Sequence, residues 1–216
     1  MTSLQSQRQL LKSQKETQKR KRVTTVIIAI LIVVAALLLL YFLPRKKMVG
    51  PSIGDPEAPV KVEQFSNYTC SHCRNFALQN EDIFKETYID TGKVFLTYYN
   101  FQFEMDESAN AAEATYCAGD QGKFFEFKRQ VYLNNQSSNA YTEESLLNYG
   151  KTVGLNMDEF QQCLASDKHV SSVTDARSYA QMQHVKYTPS FMVNGKLVLS
   201  NELIDTVEAA LAEAGK

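Results

Sequence analysis

The sequence is short of charge imbalance, of tryptophan, of repeats and of paired cysteine motifs, and these absences narrow its reading. Lys and Arg number 23 against 24 Asp and Glu, a net charge of -1. So balanced a chain has no overall excess of positive charge, which disfavours nucleic acid as a partner. No segment repeats, and there is no Trp. Only one C-x-x-C occurs, Cys70-Ser71-His72-Cys73; Cys117 and Cys163 stand alone. Zinc commonly takes four ligands from two such pairs, so a zinc site at the motif is disfavoured. Arg74 follows Cys73 where covalent haem attachment would need histidine.

What the chain does have is one long apolar run, "VTTVIIAILIVVAALLLLYFL", residues 23–43. At helical rise it spans roughly 30 Å, the thickness of a bilayer core. Arg8, Lys12, Lys15, Lys19, Arg20, Lys21 and Arg22 precede it, and only Arg45, Lys46 and Lys47 follow. The basic excess predicts a single-pass anchor with a cytoplasmic N-terminus and an extracytoplasmic domain. Neither a small-x-small cleavage site nor a lipid-accepting cysteine follows the run, so a cleaved leader is the weaker alternative. The expected organisation is a basic cytoplasmic tail over 1–22, a transmembrane helix over 23–43, a linker over 44–59 and one folded domain over 60–216. An outward-facing domain meets an oxidising compartment, where the four cysteines can pair.

"VKVEQFS" (Val60–Ser66) reads as a strand, and a helix is expected from Cys70 or Cys73 to Tyr88, with Phe76, Ala77, Ile83, Phe84 and Tyr88 on its inner side. Gly92 ends that unit and "KVFLTYYNF" is a near-continuous apolar strand, as expected when both sheet faces are covered. A helical block follows. Thr142 and Asn156 read as N-caps and Gly154 as a stop. A longer helix is expected over 168–184. "PSFMV" and "KLVL" flank Asn194-Gly195, a two-residue hairpin turn, and a last helix over 202–214 packs Leu203, Ile204, Val207 and Leu211.

The pair therefore sits at a strand-to-helix junction of a β-α-β unit, the setting of a thioredoxin-like redox motif. A helix N-terminus offers unpaired N–H groups and about half a positive charge to a thiolate on Cys70. Cys73, one turn in, would be buried and less reactive. His72 would add to the thiolate's stabilisation or stand idle on the helix surface. Each pKa unit by which the thiol is lowered favours the reduced pair by about 1.4 kcal/mol, making the disulfide a stronger oxidant. A purely structural bond over so short a loop would stabilise little. Pro189 opens a strand after Thr188; alone it reads as an ordinary trans proline, and beside a C-x-x-C as a cis proline that exposes the Thr188 backbone to an extended peptide. His169 and His184 read as helix-end residues.

"APVKVEQFSNYTCSHC", "CAGDQGKFFEF", "FQQCLAS" and "VKYTPSFMVNGK" together resemble the DsbA family of thiol:disulfide oxidoreductases, in its membrane-anchored branch. The resemblance runs from Ile53 to the C-terminus. It implies an α/β thioredoxin fold with an inserted helical domain (about 104–166), preceded here by the transmembrane helix. It implies Cys70 as the attacking cysteine, Cys73 as the resolving one, and a cis Pro189 facing them with Thr188 as the substrate-binding element. Glu63 falls where such proteins often hold a buried acid that takes the Cys73 proton; an exposed strand glutamate is the alternative. Cys117 and Cys163 fall where some relatives carry a second, structural disulfide; two buried free thiols are the alternative. Phe125 stands where relatives often carry Trp, and Lys186-Tyr187-Thr188 departs from the common Gly-Thr, so the shape of the substrate groove is not carried over.

The expected function is a membrane-anchored oxidase that introduces disulfides into extracytoplasmic proteins. Its partners would be protein or peptide thiols and a quinone-linked membrane reoxidase. No cofactor and no metal are needed, since the cysteines carry the electrons. A reductase or isomerase of the same fold is the alternative enzyme, and a non-catalytic peptide-binding holdase the alternative outside enzymology.

Overall fold

The computed structural model describes Val33, Val34 and residues 50–102 and 108–215. The expected cytoplasmic tail, the expected transmembrane helix apart from Val33 and Val34, and the first residues of the expected insertion lie outside the described residues. Among those described, no helix is long and apolar enough to cross a membrane. The chain divides into two units, 1–47 and 48–216, and the second carries the fold.

That unit is built on a five-stranded sheet of order β1-β3-β2-β4-β5, with β1 at Ser52–Ile53, β2 at Val60–Ser66, β3 at Val94–Asn100, β4 at Ser190–Val193 and β5 at Lys196–Leu199. β2 and β3 are parallel, with Val62 opposite Leu96 and Gln64 opposite Tyr98. β4 is antiparallel to β2 and sets Phe191 opposite Gln64. This is a thioredoxin-like sheet whose central β2 leads directly into the C-x-x-C. β1 corrects the sequence reading, which left residues 44–59 as a linker. Ser52 and Ile53 pair with Thr97 and Leu96, a contact set by tertiary position with no period of its own to announce it.

α1 runs over 71–89 as an α-helical start (Ser71–Asn75), a π-helical turn (Phe76–Asn80), a second α segment (Glu81–Phe84) and a second π-helical turn (Lys85–Ile89). Each wide turn shifts the phase of the residues beyond it. A uniform helical period therefore misplaces Ile83, which is 65% exposed, whereas Phe76, Ala77, Phe84 and Tyr88 are buried. After α1 the chain turns at Gly92, whose φ of 71° suits a residue with no Cβ.

Between β3 and β4 lie α2 (Ser108–Gly119), α3 (Phe124–Asn134), α4 (Glu143–Thr152), α5 (Met157–Ala165) and α6 (Val170–Met182); α7 (Leu203–Glu213) closes the domain. The expected caps are in place. Thr142 accepts from the Ser145 N–H, and Asn156 accepts from the Asp158 and Glu159 N–H groups while its amide donates to Glu159. Asn194 and Gly195 both have positive φ (46° and 88°) and join β4 to β5 as a tight hairpin. Ile204, expected in the packed face of the last helix, is instead exposed. Cys117 on α2 and Cys163 on α5 are joined in a disulfide, 46 residues apart in the chain.

Strand alternation sorts the cores. Val62, Leu96, Phe191 and Val193 face α1 and α7, with Phe76, Phe84 and Val207. Phe65 and Tyr99 point the other way, packing with Ala176, Ala180 and Tyr179 of α6. The third cluster joins Cys73, Tyr68 and Tyr98 to the helical insertion through Tyr132, Phe127 and Phe160. Lys128 is fully buried beneath this wall, paired with Glu81, its ammonium 4.7 Å from the Tyr98 ring centroid.

Candidate active site

β2 ends at Ser66, and the next residues form the turn that launches α1. The Asn67 side-chain oxygen accepts from both the Thr69 N–H and the Thr69 hydroxyl, each at 2.7 Å. This local side-chain-to-backbone bond turns the chain before the helix. Cys70 then takes the N-cap position with extended backbone (φ −84°, ψ 120°), and its sulfur accepts the Cys73 N–H at 3.4 Å. The first reactive candidate is thus itself the helix cap.

Four hydrogen-bond donors meet on the Cys70 sulfur. A hydrogen bond from the Cys73 thiol is the strongest in lowering its pKa, to about 5; burial opposes it, and the Thr188 hydroxyl and the Cys73 and His72 N–H groups add to the lowering. The sulfur also lies 3.2 Å from the Thr188 carbonyl oxygen, a contact in which a thiol donates and which favours the protonated form. Cys73 goes the other way. It is 1% exposed, and burial, then the bond it gives to Cys70, push its thiol well above the ordinary range, against a stabilising Asn67 N–H at 3.4 Å. Both thiols are free in this structure. Two groups pushed apart by one shared proton are the arrangement expected of a nucleophile and its resolving partner.

Thr188-Pro189 is a cis peptide bond, and it brings Thr188 beside Cys70. A groove lined by His72, Tyr187, Thr188, Pro189 and Leu199 opens at the cis bond. Tyr187 is 68% exposed at its rim. The His72 side chain is exposed in that groove, while it is the backbone N–H of His72 that bonds the Cys70 sulfur. The expected imidazole contact is therefore replaced by a backbone one.

Glu63 is not brought beneath the pair. It pairs across to Thr97 and Met192, on the sheet face that carries Phe65, and the Tyr179 hydroxyl of α6 donates to its two oxygens at 3.0 and 2.9 Å. Strand alternation gives the Cys73 side to its neighbour, the buried neutral Gln64, whose amide donates to Ser66. The place that the resemblance implied for Glu63 thus falls to the residue after it, because strand parity turns Glu63 to the opposite sheet face. Glu63→Gln is expected to leave the pH profile of thiol exchange unmoved and to lower stability by about 1–2 kcal/mol through the Tyr179 bond. Matched stopped-flow exchange and denaturant titrations check both. Asn67 and Gln64 are the contributors that sequence reasoning missed; the Asn-x-Thr spacing before Cys70 was the available signal for the first.

The residues below Cys73 hold the junction rigid. Arg74 Nε donates to the Tyr132 carbonyl at 3.1 Å, and the Asn135 amide and Tyr141 hydroxyl both donate to the Tyr68 carbonyl at 2.7 and 3.0 Å. The insertion thereby clamps the loop that presents the cysteines.

Known proteins resemble this chain in sequence and fold. A profile of the thioredoxin family matches residues 46–213. A protein of Bacillus anthracis named probable disulfide bond formation protein D is 34% identical over 167 residues, covering 74% of this chain and 76% of its own length. Among solved structures, oxidised BdbD of Bacillus subtilis superposes with a TM-score of 0.69 at 23% identity, over 76% of this chain and 93% of that one. Chlamydia trachomatis DsbA gives 0.68 at 22% identity, over 80% and 94%.

Proposed function

Because the chain belongs to the DsbA family of thiol:disulfide oxidoreductases, we propose that it works as an oxidant of protein thiols, tethered outside the membrane by residues 23–43 with its N-terminus in the cytoplasm. The observation that carries the direction is the depressed pKa of the Cys70 thiol. An anion held at a helix start stabilises the reduced pair alone, so the disulfide gives up its oxidising equivalents readily.

A substrate thiolate attacks Cys70 of the Cys70–Cys73 disulfide. The bond between the two cysteines breaks, a substrate–Cys70 disulfide forms, and Cys73 leaves and takes a proton. A second substrate thiolate then attacks the substrate sulfur and expels Cys70 as the thiolate. Two electrons have moved from the substrate to the pair, and the substrate holds a new disulfide. Cys70 is the good leaving group in this second step, because a low-pKa thiol leaves faster. Thr188 and Pro189 form the wall against which an extended peptide docks. A quinone-linked membrane partner returns the pair to the disulfide. The same fold run as a reductase would need a pair with a less stabilised thiolate.

The test is refolding of a reduced, disulfide-containing substrate by the oxidised protein. Stoichiometric substrate oxidation is expected, with Cys70→Ser reducing the rate to the level of air alone. Survival of the activity in Cys70→Ser would overturn the assignment. A reduction potential near −270 mV, that of thioredoxin, would favour the reductase; one near −120 mV would favour the oxidase.

A further inference from the structure

The disulfide of the helical insertion has neighbours that a structural staple does not require. Cys117 Sγ, Cys163 Sγ and a ring nitrogen of His169 all lie within 4.8 Å of one another. Asp120 Oδ2 adds a fourth donor, 2.9 Å from His169 Nε2 and 3.8 Å from Cys163 Sγ. Four donors around a zinc ion, each roughly 2.0–2.3 Å from it, stand some 3–4 Å apart. The oxygen-to-nitrogen and oxygen-to-sulfur spacings already fall in or near that range.

Each donor comes from a different setting. Cys117 lies on α2 and Cys163 on α5; Asp120 follows the end of α2, and His169 caps α6. The histidine is also oriented as a ligand would be. Its Nδ1 faces the Ser172 hydroxyl at 3.3 Å, its ring stacks on Tyr116 with centroids 5.7 Å apart, and its Nε2 is thereby aimed at Asp120. A ligating histidine characteristically gives its other ring nitrogen to such a partner. Two clefts reach the cluster. One is lined by Tyr116, Asp120 and His169, the other by Cys117, Asp120 and Cys163. Lys168 Nζ sits 2.8 Å from the same Asp120 oxygen, on a side chain 55% exposed and free to swing into solvent.

We propose that, once its disulfide is reduced, the Cys117–Cys163 pair binds a zinc-like divalent cation with His169 and Asp120, so that the insertion alternates between a disulfide and a metal site. A dithiol reductant supplies two electrons and two protons. The sulfur–sulfur bond breaks, two thiols form and the reductant becomes a disulfide. The incoming cation displaces the two thiol protons and the Lys168 ammonium. Exchange with a disulfide oxidant, which takes up the two electrons and two solvent protons to become a dithiol, restores the Cys117–Cys163 bond and expels the cation. This site uses none of the residues of the Cys70–Cys73 exchange, and it stands or falls separately.

The test uses cobalt(II) as the probe with the full chain, in which Cys70→Ser and Cys73→Ser silence the other pair. Under anaerobic reduction one equivalent of cobalt is expected to bind, with the ligand-field bands of a tetrahedral site and thiolate charge-transfer absorption, and zinc should displace it. The oxidised protein should take up none. His169→Gln and Asp120→Asn should each weaken binding by about tenfold or more, with circular dichroism confirming that both remain folded. Absence of uptake by the folded reduced protein, an octahedral spectrum, or affinity indifferent to both substitutions would overturn the proposal. If reduction melts the chain, zinc is expected to restore the fold; a chain that stays unfolded in zinc also overturns it.

Discussion

Between pH 5 and pH 7 the reduced protein is expected to gain about 2 kcal/mol of unfolding free energy relative to the oxidised protein. The Cys70 thiol is lowered from the ordinary 9.0 to about 5 in the fold. A group with a depressed folded pKa contributes stability that is complete above its unfolded value and vanishes as pH falls through its folded value. The window is therefore about 5 to 9. By pH 7 half of it has been crossed, worth roughly 2.7 kcal/mol at 1.36 per unit before allowance for the sulfur's partial exposure to solvent. The oxidised protein has no such thiol and no such slope. Above pH 9 the buried Cys73 works in the opposite sense. Its raised pKa keeps it protonated in the fold while the unfolded thiol ionises, so stability falls again. Paired denaturant titrations across this range read the difference. A gap between the two redox states that does not change with pH would remove the driving force from the proposed oxidase. A gain of 2 kcal/mol corresponds to roughly 40 mV of oxidising power.

The second large effect lies in the insertion. Removing the Cys117–Cys163 bond by Cys117→Ser with Cys163→Ser is expected to cost about 4 kcal/mol, the loop-closure entropy released to an unfolded chain cross-linked across 46 residues. That is a large share of the 5–15 kcal/mol typical of a domain, and it should appear as a lower denaturant midpoint with a steeper slope, because the uncross-linked unfolded chain exposes more surface. Its influence should reach the cysteine pair. The bond ties α2 to α5, and α2 packs on Tyr68 through the Tyr68–Thr115 hydroxyl contact at 2.7 Å. Tyr68 lies two residues before Cys70. Equal midpoints in the double variant and the parent would show that the loop is already closed by packing in the unfolded state.

Much of this architecture is legible in the chain because local physics decides it. Thr142 and Asn156 cap helices for reasons contained in three or four residues, and Asn194-Gly195 turns a hairpin because both positions need positive φ. The C-x-x-C at a strand-to-helix junction is equally local. What the sequence conceals is set at a distance. β1 exists only because β3 offers it an edge. The π-helical turns of α1 rotate Ile83 into solvent, which no uniform period anticipates. Glu63 and Gln64 are adjacent, and a one-residue parity decides which of them faces Cys73; α6 covers the Glu63 side and α1 the other. Likewise nothing local says that His169, a helix-end histidine in the sequence, comes to rest against the disulfide of two other helices.

The central claim is that one sulfur, Cys70, is an anion at neutral pH while its partner is not. Its most direct test is the rate of iodoacetamide alkylation of the fully reduced protein as a function of pH, with mass spectrometry to locate the label. The expected result is labelling confined to Cys70, half-maximal near pH 5, with Cys73 unmodified throughout the folded range. A midpoint near 9, the value of an unperturbed thiol, or equal labelling of both cysteines, would contradict it.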